Sequence, residues 1–404
     1  MRILVQKFGG TSLSSPKARA HVIEHIRREL AQNYRLVVVV SAMGRKGDPY
    51  ATDTLLDWSE QHGNGLPPRE KDLLLCCGEI ISAATLCSLL QHEGIQATVL
   101  TGAQAGFVTD NQYGNARILD VRPDRVRAEL EKFEVVIVTG FQGQTESGDF
   151  TTLGRGGSDT SATALGAALR AEMVDIYTDV NGILTADPRI VEDARPLSLV
   201  SYSEICNMAH QGAKVIHPRA VEIAMQSLIP LRVRSTFTDT EGTLVTQRDG
   251  FKDMAMGIVD RYVTGVAYVS NITQISVECD CTEGLQLKIF RTMAENSISV
   301  DFINVTPTGV LYTIFDRDSE RAISALQELK LKPKSLSGCA KVSVIGGGIN
   351  GVPGIMATIV EALSEHDISI LQSADSNTTI WLLVKKEDMV QALRALHGKF
   401  ELHR

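Results

Sequence analysis

Apolar positions divide the chain into a long first part, in which short buried runs alternate with helical stretches, and a shorter last part with a different pattern. Residues 36–40 are five consecutive apolar residues, four of them valine, which is typical of a strand covered on both faces in a parallel sheet. Comparable runs occur at 3–8, 97–100, 135–138 and 175–178. To about residue 246 the pattern therefore predicts an α/β fold built on a mostly parallel sheet.

Small or polar residues follow these predicted strands directly, namely Ser41, Thr101, Gly140 and Asp179. Open parallel sheets bind ligands beyond the carboxyl ends of their strands, so these positions are candidate site residues. Any one of them alone is more often a plain turn residue. Their joint placement after several strands is what favours a site.

A glycine-rich stretch at 151–168, TTLGRGGSDTSATALGAA, is the strongest local signal. Its glycines permit a tight turn, Ser158 or Asp159 is expected to cap the following alanine-rich helix, and Arg155 stands at the turn. Backbone N–H groups at a helix start together with an arginine suit a carboxylate or phosphate. The alternative is a surface turn before an ordinary helix.

A second glycine turn, Gly9-Gly10, follows the first predicted strand, so the sequence predicts two anion-binding loops and two charged ligands. The polar loop 44–54, GRKGDPYATDT, lies between a strand and a helix and is a candidate lid. Glu79 lies in a predicted apolar helix at 73–90. Because a buried carboxylate is costly without a cation, Glu79 pairs either with a protein cation or with a positive group on a ligand.

The last part of the chain contains an internal repeat, in which the segment from Gly284 corresponds to the segment from Gly354. Each copy predicts strand, helix, two strands, helix and strand, with Ile298 and Val300 in one copy and Ile368 and Ile370 in the other on half-buried strands. The apolar run 263–269 is a spare strand that one copy is expected to borrow. Neither copy offers a nucleophile or base, which favours a binding module.

Composition narrows the function further. The 404 residues carry a formal net charge of −8 without a dense Lys/Arg cluster, which argues against nucleic acid as a partner. No apolar run approaches the length of a membrane span and no secretory signal is evident, so we expect a cytoplasmic protein without membrane contact. The seven scattered cysteines show no zinc-ligand spacing, and no metal-ligating residues are predicted.

Seven motifs in chain order resemble those of aspartokinases: KFGGT at 7–11, SAM at 41–43, GE at 78–79, TTLGRGGSD at 151–159, TDV-G at 178–182, TADPR at 185–189 and GAK at 212–214. The resemblance covers the whole chain, and the repeated tail is similar to the paired ACT domains of that family. The loop 44–54 and the closing segment 370–384 look most like the Bacillus-type diaminopimelate-sensitive isozyme.

This resemblance implies an amino-acid-kinase αβα sandwich at 1–246, a linker at 247–262, and two βαββαβ ACT domains at 263–337 and 338–404, the second of which is expected to borrow the strand 263–269. It also implies phosphorylation of the side-chain carboxylate of L-aspartate by ATP with Mg²⁺, giving 4-phospho-L-aspartate. The product enters the synthesis of lysine, diaminopimelate, threonine and methionine.

The resemblance also assigns roles to matching residues. Lys7, Asp159 and Arg155 are the expected catalytic residues. The expected aspartate-binding residues are Ser41, Thr52, Glu79, Arg155, Gly156, Gly157 and Ser158. The expected nucleotide-binding residues are Lys7, Phe8, Gly9, Gly10, Thr178, Asp179, Leu184, Asp187, Arg189 and Lys214.

Regulation by an end-product amino acid is expected at the ACT domains, with diaminopimelate favoured over lysine or threonine. The expected effector residues are Glu283, Gly284, Asp301, Asn304, Val352 and Gly354, although each has an alternative role in ending a helix or strand. Exposed sheet edges predict at least a homodimer. Two other functions stay open: another amino-acid kinase, such as an acetylglutamate or uridylate kinase, and a catalytically silent amino-acid sensor.

Overall fold

The structure is a computed structural model that describes residues 1–61, 65–213, 215–247, 262–278, 284–349 and 351–404. The chain forms two compact units. We call them the N-terminal unit (Met1–Ile183, Pro196–Ala209 and Lys214–Ile258) and the C-terminal unit (Leu184–Arg195, His210–Ala213 and Val259–Arg404).

The segment Leu184–Arg195 differs from the expected division, because the sequence boundary at 246 assigns it to the first domain. Its Ala186, Ile190 and Val191 belong to the same buried cluster as Val266 and Leu393. In addition, the Val266 N–H donates to Thr185 O at 2.8 Å. Apolar burial and a backbone hydrogen bond therefore hold this segment in the C-terminal unit.

The N-terminal unit is built on an eight-stranded sheet with the strand order β10-β12-β11-β9-β1-β2-β6-β3. A smaller sheet has the order β5-β4-β7-β8. The strands are β1 (Arg2–Phe8), β2 (Tyr34–Val40), β3 (Ala97–Leu100), β4 (Phe107–Thr109), β5 (Ile118–Val121), β6 (Val135–Thr139), β7 (Gln142–Thr145), β8 (Phe150–Thr152), β9 (Met173–Thr178), β10 (Leu199–Ser201), β11 (Leu231–Ser235) and β12 (Thr243–Thr246). The central pairs β9-β1, β1-β2, β2-β6 and β6-β3 are parallel, which confirms the predicted sheet.

Helices cover both faces of the large sheet, and the alternation of side chains along β1 shows how. Leu4 and Phe8 belong to a buried cluster with residues of α2 and α4, whereas Val5 faces Gly166 of α6. This arrangement is the αβα sandwich that the resemblance to aspartokinases implies. The helices of this region are α1 (Gly10–Leu13), α2 (Pro16–Ala31), α3 (Thr52–Glu60), α4 (Pro68–His92), α5 (Asp124–Leu130), α6 (Gly157–Leu169), α7 (Tyr202–His210) and α8 (Pro218–Ser227).

Helix α4 contradicts the expectation that no apolar run approaches the length of a membrane span. By length and composition alone, it is long and apolar enough to cross a membrane. Its Leu86 and Leu90, however, pack in one buried cluster with Val38 and Ile137 of the sheet. This burial explains the high apolar content, since a helix at the centre of a soluble core meets the same criterion.

The C-terminal unit contains a six-stranded sheet with the order β14-β15-β13-β16-β18-β17. Its strands are β13 (Gly265–Glu278), β14 (Asp301–Thr306), β15 (Gly309–Phe315), β16 (Lys334–Ile345), β17 (Gln372–Asp375) and β18 (Thr379–Lys385). Its helices are α9 (Leu285–Glu295), α10 (Ser319–Glu328), α11 (Ile355–Ser364) and α12 (Met389–Lys399). Each repeat therefore has the predicted helix, two strands and helix, and α9 and α11 begin at the corresponding positions Leu285 and Ile355. The second repeat has no strand of its own after α12 in the described residues.

Strand β13 serves both repeats. Its first half pairs with the end of β16, and Val266 joins the core that contains α11 and α12. Its second half pairs with β15, and Ile275 joins the core that contains α9 and α10. The run predicted as a spare strand at 263–269 is thus the beginning of one long shared strand.

The repeat strands begin later than the sequence predicts. Ile298 and Ile368 are buried, but they precede β14 and β17 and lie in the connections from the preceding helices. Apolar burial in a loop gives the same local pattern as a half-buried strand, which explains the error.

Candidate functional site

The carboxyl ends of the central strands meet at one edge of the large sheet. Phe8 lies opposite both Val40 and Tyr177, and Val40 lies opposite Thr139. The residues that follow these positions therefore lie at the same level along the strands. Among them are Gly9, Ser41, Gly140 and Thr178. The structure brings these strand ends together as the sequence predicted.

Lys7 and Asp159 form an ion pair at this edge, with Nζ 2.7 Å from Oδ1 and both side chains largely buried. Odd-numbered residues of β1 face α6, so Lys7 points toward the first turn of that helix, where Asp159 lies. The pair fixes the ammonium group of Lys7 between a strand end and a helix N-terminus.

The glycine turn before α6 is shaped differently from the prediction. Gly156 caps the helix in the left-handed conformation, with φ of 69°, and neither Ser158 nor Asp159 caps it through a side-chain hydrogen bond. A Cβ at Gly156 would lie 2.2 Å from the His217 ring, so only glycine fits. Arg155 is exposed and forms no ion pair with any residue that the structure describes.

The Gly9-Gly10 turn is held against the loop that follows β2. A Cβ at Gly10 would lie 2.6 Å from Gly44 O and 2.7 Å from Ala42 O, and the Gly44 N–H donates to Gly10 O at 3.0 Å. A Cβ at Gly9 would lie 3.4 Å from Lys7 Nζ. Gly10 thus lets two backbone segments approach each other beside the Lys7 ammonium group.

Glu79 is 1 % exposed and reaches the same loop from α4. Gly78 allows the approach, because a Cβ there would lie 2.8 Å from Ala42 Cβ. Oε1 accepts the Ala42 N–H at 3.0 Å, whereas Oε2 is buried and accepts no hydrogen bond from the described residues.

Burial raises the pKa of Glu79 to about 8, and the Ala42 N–H only partly offsets this effect. The Glu79 backbone N–H and the side-chain amide of Gln142 also lower this pKa. The sequence left two possible partners for Glu79, a protein cation or a positive group on a ligand. Among the described residues, no cation pairs with Glu79.

The predicted aspartate-binding residues Ser41 and Thr52 are half-buried, the first after β2 and the second at the start of α3. The Ser41 N–H donates to Phe8 O at 3.1 Å. Ser158 is buried and packs against Gly140, where a Cβ would lie 2.9 Å from the serine side chain.

Two residues near this edge were missed by sequence reasoning. Arg45 Nη2 lies 2.6 Å from Asp179 Oδ2, which joins the candidate lid to the end of β9. The His217 N–H donates to Asp159 Oδ2 at 3.4 Å. A residue distant in the chain therefore helps to hold Asp159, the partner of Lys7. The only sequence signal for His217 was its position near the GAK motif.

Three of the remaining predicted nucleotide residues are assigned to the C-terminal unit, and a fourth is not described. Leu184, Asp187 and Arg189 belong to the C-terminal unit, where Arg189 donates to Asp187 at 3.0 and 2.7 Å. The Arg189 guanidinium lowers the pKa of the Asp187 carboxyl. Lys214 lies outside the described residues.

The predicted effector residues occupy two regions of the C-terminal unit. Gly284 and Gly354 cap α9 and α11 in the left-handed conformation. Asp301 pairs with the nearly buried Lys341, and Asn304 is exposed on β14. Glu283 lies outside the described residues.

A cavity of about 600 Å³ lies beside the predicted effector residues Val352 and Gly354. Val352, Gly354 and the N-terminus of α11 form one wall, and Ser373 and Asp375 of β17 form another. The cavity therefore combines helix N–H groups with a carboxylate.

Comparisons with known proteins agree with this architecture. Residues 2–235 match the amino acid kinase family, and residues 334–398 match an ACT domain. The chain is 53 % identical over 403 residues to aspartokinase 1 of Bacillus subtilis, with full coverage of both chains. It is 40 % identical to the aspartokinase of Geobacillus stearothermophilus, with 100 % of this chain and 98 % of that protein covered. Aspartokinase III of E. coli, solved with aspartate and ADP, is 26 % identical with a TM-score of 0.80, covering 98 % and 99 % of the two chains.

Proposed function

The chain belongs to the aspartokinases of the amino acid kinase family, and from this premise we propose how its residues carry out the reaction. It transfers the γ-phosphoryl group of ATP to the side-chain carboxylate of L-aspartate, giving 4-phospho-L-aspartate and ADP. The observation that carries the assignment of the site is the Lys7–Asp159 pair at 2.7 Å beside two glycine turns.

Glu79 and Arg155 bind the two ends of the amino acid. The buried Oε2 of Glu79, which has no hydrogen-bond partner among the described residues, receives the α-ammonium group. The exposed guanidinium of Arg155 forms a two-pronged pair with a carboxylate. Ser41, Thr52, Gly156, Gly157 and Ser158 complete the proposed aspartate pocket.

The reaction needs no general base, because the aspartate side chain is already ionised at neutral pH. A carboxylate oxygen attacks the γ-phosphorus, and the bond from phosphorus to the bridging β,γ-oxygen breaks. Lys7 neutralises the charge on the phosphoryl oxygens during transfer, and Asp159 holds Lys7 in place. Catalysis then depends on alignment and charge neutralisation.

The nucleotide enters as its Mg²⁺ complex in this proposal. Backbone groups of Phe8, Gly9 and Gly10 and the Lys7 ammonium group bind the phosphates in this proposal. A Cβ at Gly9 would lie 3.4 Å from Lys7 Nζ, so the missing side chain leaves the ammonium group accessible. The ion supplies further charge neutralisation when bound. Family resemblance adds Thr178, Asp179, Leu184, Asp187, Arg189 and Lys214 as nucleotide contacts.

A hydroxylamine trap tests the reaction directly. The full chain with Mg·ATP and L-aspartate should form aspartyl hydroxamate, and omission of aspartate should abolish the signal. N-acetyl-L-glutamate in place of aspartate should give no hydroxamate. Uridylate, whose phosphorylation would not form an acyl phosphate, should cause no release of ADP. Folded protein that forms no acyl phosphate would favour the silent sensor instead.

An amino acid regulates the enzyme at the C-terminal unit, and we place it in the cavity beside Val352 and Gly354. The N-terminus of α11 suits its carboxylate, and Asp375 suits an ammonium group. Diaminopimelate is the favoured effector, because the loop 44–54 and the segment 370–384 resemble those of the Bacillus-type diaminopimelate-sensitive isozyme. Gly284, Asp301, Asn304 and Glu283 form the corresponding proposed region of the other repeat.

Inhibition assays with diaminopimelate, lysine and threonine, added singly and together, identify the effector. Asp375→Asn should weaken inhibition, whereas Asp367→Asn, an exposed control in the same unit, should not. Inhibition only by lysine with threonine would exclude the diaminopimelate-sensitive type. An unchanged inhibition constant in Asp375→Asn would exclude this cavity.

We also propose a cytoplasmic homodimer. Strand β14 is a sheet edge with Ile303 and Val305 exposed, which favours pairing with a second copy. Sedimentation equilibrium should give twice the chain mass of 43.9 kDa. A mass of one chain at micromolar concentration would contradict the dimer.

A further inference from the structure

Three potential metal ligands meet in the C-terminal unit, although they come from separate stretches of the chain. Asp193 lies in the segment 184–195, His397 lies in α12, and His403 lies in the turn after α12. His397 Nδ1 is 3.6 Å from Asp193 Oδ1, and His403 Nδ1 is 4.0 Å from Asp193 Oδ2. One ligand atom from each residue lies within 4.8 Å of the other two.

These separations are close to those of a metal site. Metal–ligand bonds of about 2.0 Å at tetrahedral angles place neighbouring ligand atoms about 3.3 Å apart. Each histidine–aspartate distance exceeds a normal hydrogen bond, so direct contact does not satisfy the groups. Rotations of the exposed Asp193 side chain and of the partly exposed His403 side chain would shorten these separations.

His397 is held in the orientation that a ligand needs. Its side chain is 1 % exposed, and Nε2 lies 2.9 Å from Thr185 Oγ1, which also accepts the Arg195 N–H at 3.1 Å. Nδ1 is therefore the nitrogen directed toward Asp193. A hydrogen bond at the far ring nitrogen is the usual support of a metal-bound histidine.

The backbone beside His403 is also fixed. Leu402 is buried in the unit's core, and its carbonyl accepts a hydrogen bond from Arg195 Nε at 3.0 Å. The His403 side chain itself is about one third exposed, at 35 %, and that of Asp193 is 62 % exposed. The cluster thus has a rigid base and an open side through which an ion and water can enter.

We propose that Asp193, His397 and His403 bind a divalent transition-metal ion of the Zn²⁺ type, with water as the fourth ligand. Two imidazoles and one carboxylate form a donor set that suits Zn²⁺ and disfavours Mg²⁺ or Ca²⁺, which prefer oxygen ligands. The bound ion joins the segment 184–195 to the end of α12. None of the three ligands is among the residues proposed above for the kinase reaction.

Titration calorimetry with Zn²⁺ on the full-length chain tests the proposal. Because loss of a residue behind a ligand already weakens metal binding about 10-fold to 100-fold, His403→Ala and Asp193→Asn should each weaken it by about 10-fold or more. His366→Ala removes an exposed histidine of the same unit and should leave the affinity unchanged. Equal affinity in all four proteins would overturn the proposal.

Co²⁺ absorption separates this site from binding at cysteines. A four-coordinate nitrogen and oxygen site gives visible d–d bands without the strong near-ultraviolet band of a thiolate ligand. Those visible bands should disappear in Asp193→Asn, a change at an exposed side chain that leaves the core of the unit intact. A thiolate band, or visible bands that persist in this variant, would contradict the assignment.

Discussion

Glu79 makes a quantitative prediction about pH, because its carboxylate must be ionised to bind the aspartate ammonium group. With a pKa of about 8, roughly 1 % of the free enzyme is ionised at pH 6, about 10 % at pH 7 and half at pH 8. The ammonium and carboxylate groups of aspartate keep their charge over this range. KM for aspartate should therefore fall about tenfold from pH 6 to 7 and about 50-fold from pH 6 to 8.

Glu79→Gln removes the charge but keeps a carbonyl oxygen that can accept the Ala42 N–H. KM for aspartate should rise at least about tenfold at pH 8, and its dependence on pH should disappear. Glu70→Gln is the matched control, since Glu70 is a carboxylate on the same helix whose side chain is 42 % exposed. Initial rates over a range of aspartate concentrations, with saturating ATP and at half-unit steps of pH, give KM for aspartate and kcat.

The same group affects stability without substrate. The folded pKa of Glu79 is above its ordinary value of 4.5, so the folded chain holds this proton more tightly than the unfolded chain. The resulting stabilisation is complete below pH 4.5 and is lost as pH rises to 8. Thermal melting should show this loss in the parent chain and a smaller loss in Glu79→Gln. A flat KM profile, or the same slope in Glu79→Gln, would refute the assigned role.

Three further predictions concern other parts of the site and fold. Lys7→Ala should lower kcat about 100-fold or more while circular dichroism stays unchanged, and near-normal kcat would exclude Lys7 from catalysis. Arg155→Ala should mainly raise KM for aspartate in steady-state kinetics, whereas an effect confined to ATP would contradict its role. Gly10→Ala should lower the melting temperature, because its Cβ would lie 2.6 Å from a backbone oxygen. Gly398→Ala, with free space around the Cβ, should instead stabilise α12 by about 0.5–1 kcal/mol, and equal melting shifts for both would refute this packing argument.

The sequence by itself determined the elements whose causes are local. The valine run at 36–40 can be buried only in a covered sheet, and Gly156 permits a backbone conformation that other residues rarely adopt. The internal repeat likewise predicted both α9 and α11. The motif order identified the family because each motif retains its local spacing.

Tertiary structure decided the features that depend on residues distant in the chain. The sequence predicted that Glu79 is buried, but only the packing of α4 on Ala42 showed that one oxygen lacks a partner among the described residues. The pairing of β13 with both β15 and β16 made one strand serve two repeats.

The position of the segment 184–195 also depends on residues that are distant in the chain. Its motif resembles part of the kinase domain, but its apolar side chains are buried in the C-terminal unit. Its Asp193 thereby meets His397 and His403, which are far away in sequence, so that spacing rules predict no metal ligands there. Local periodicity follows from neighbouring residues, whereas such clusters arise from the packing of the whole unit.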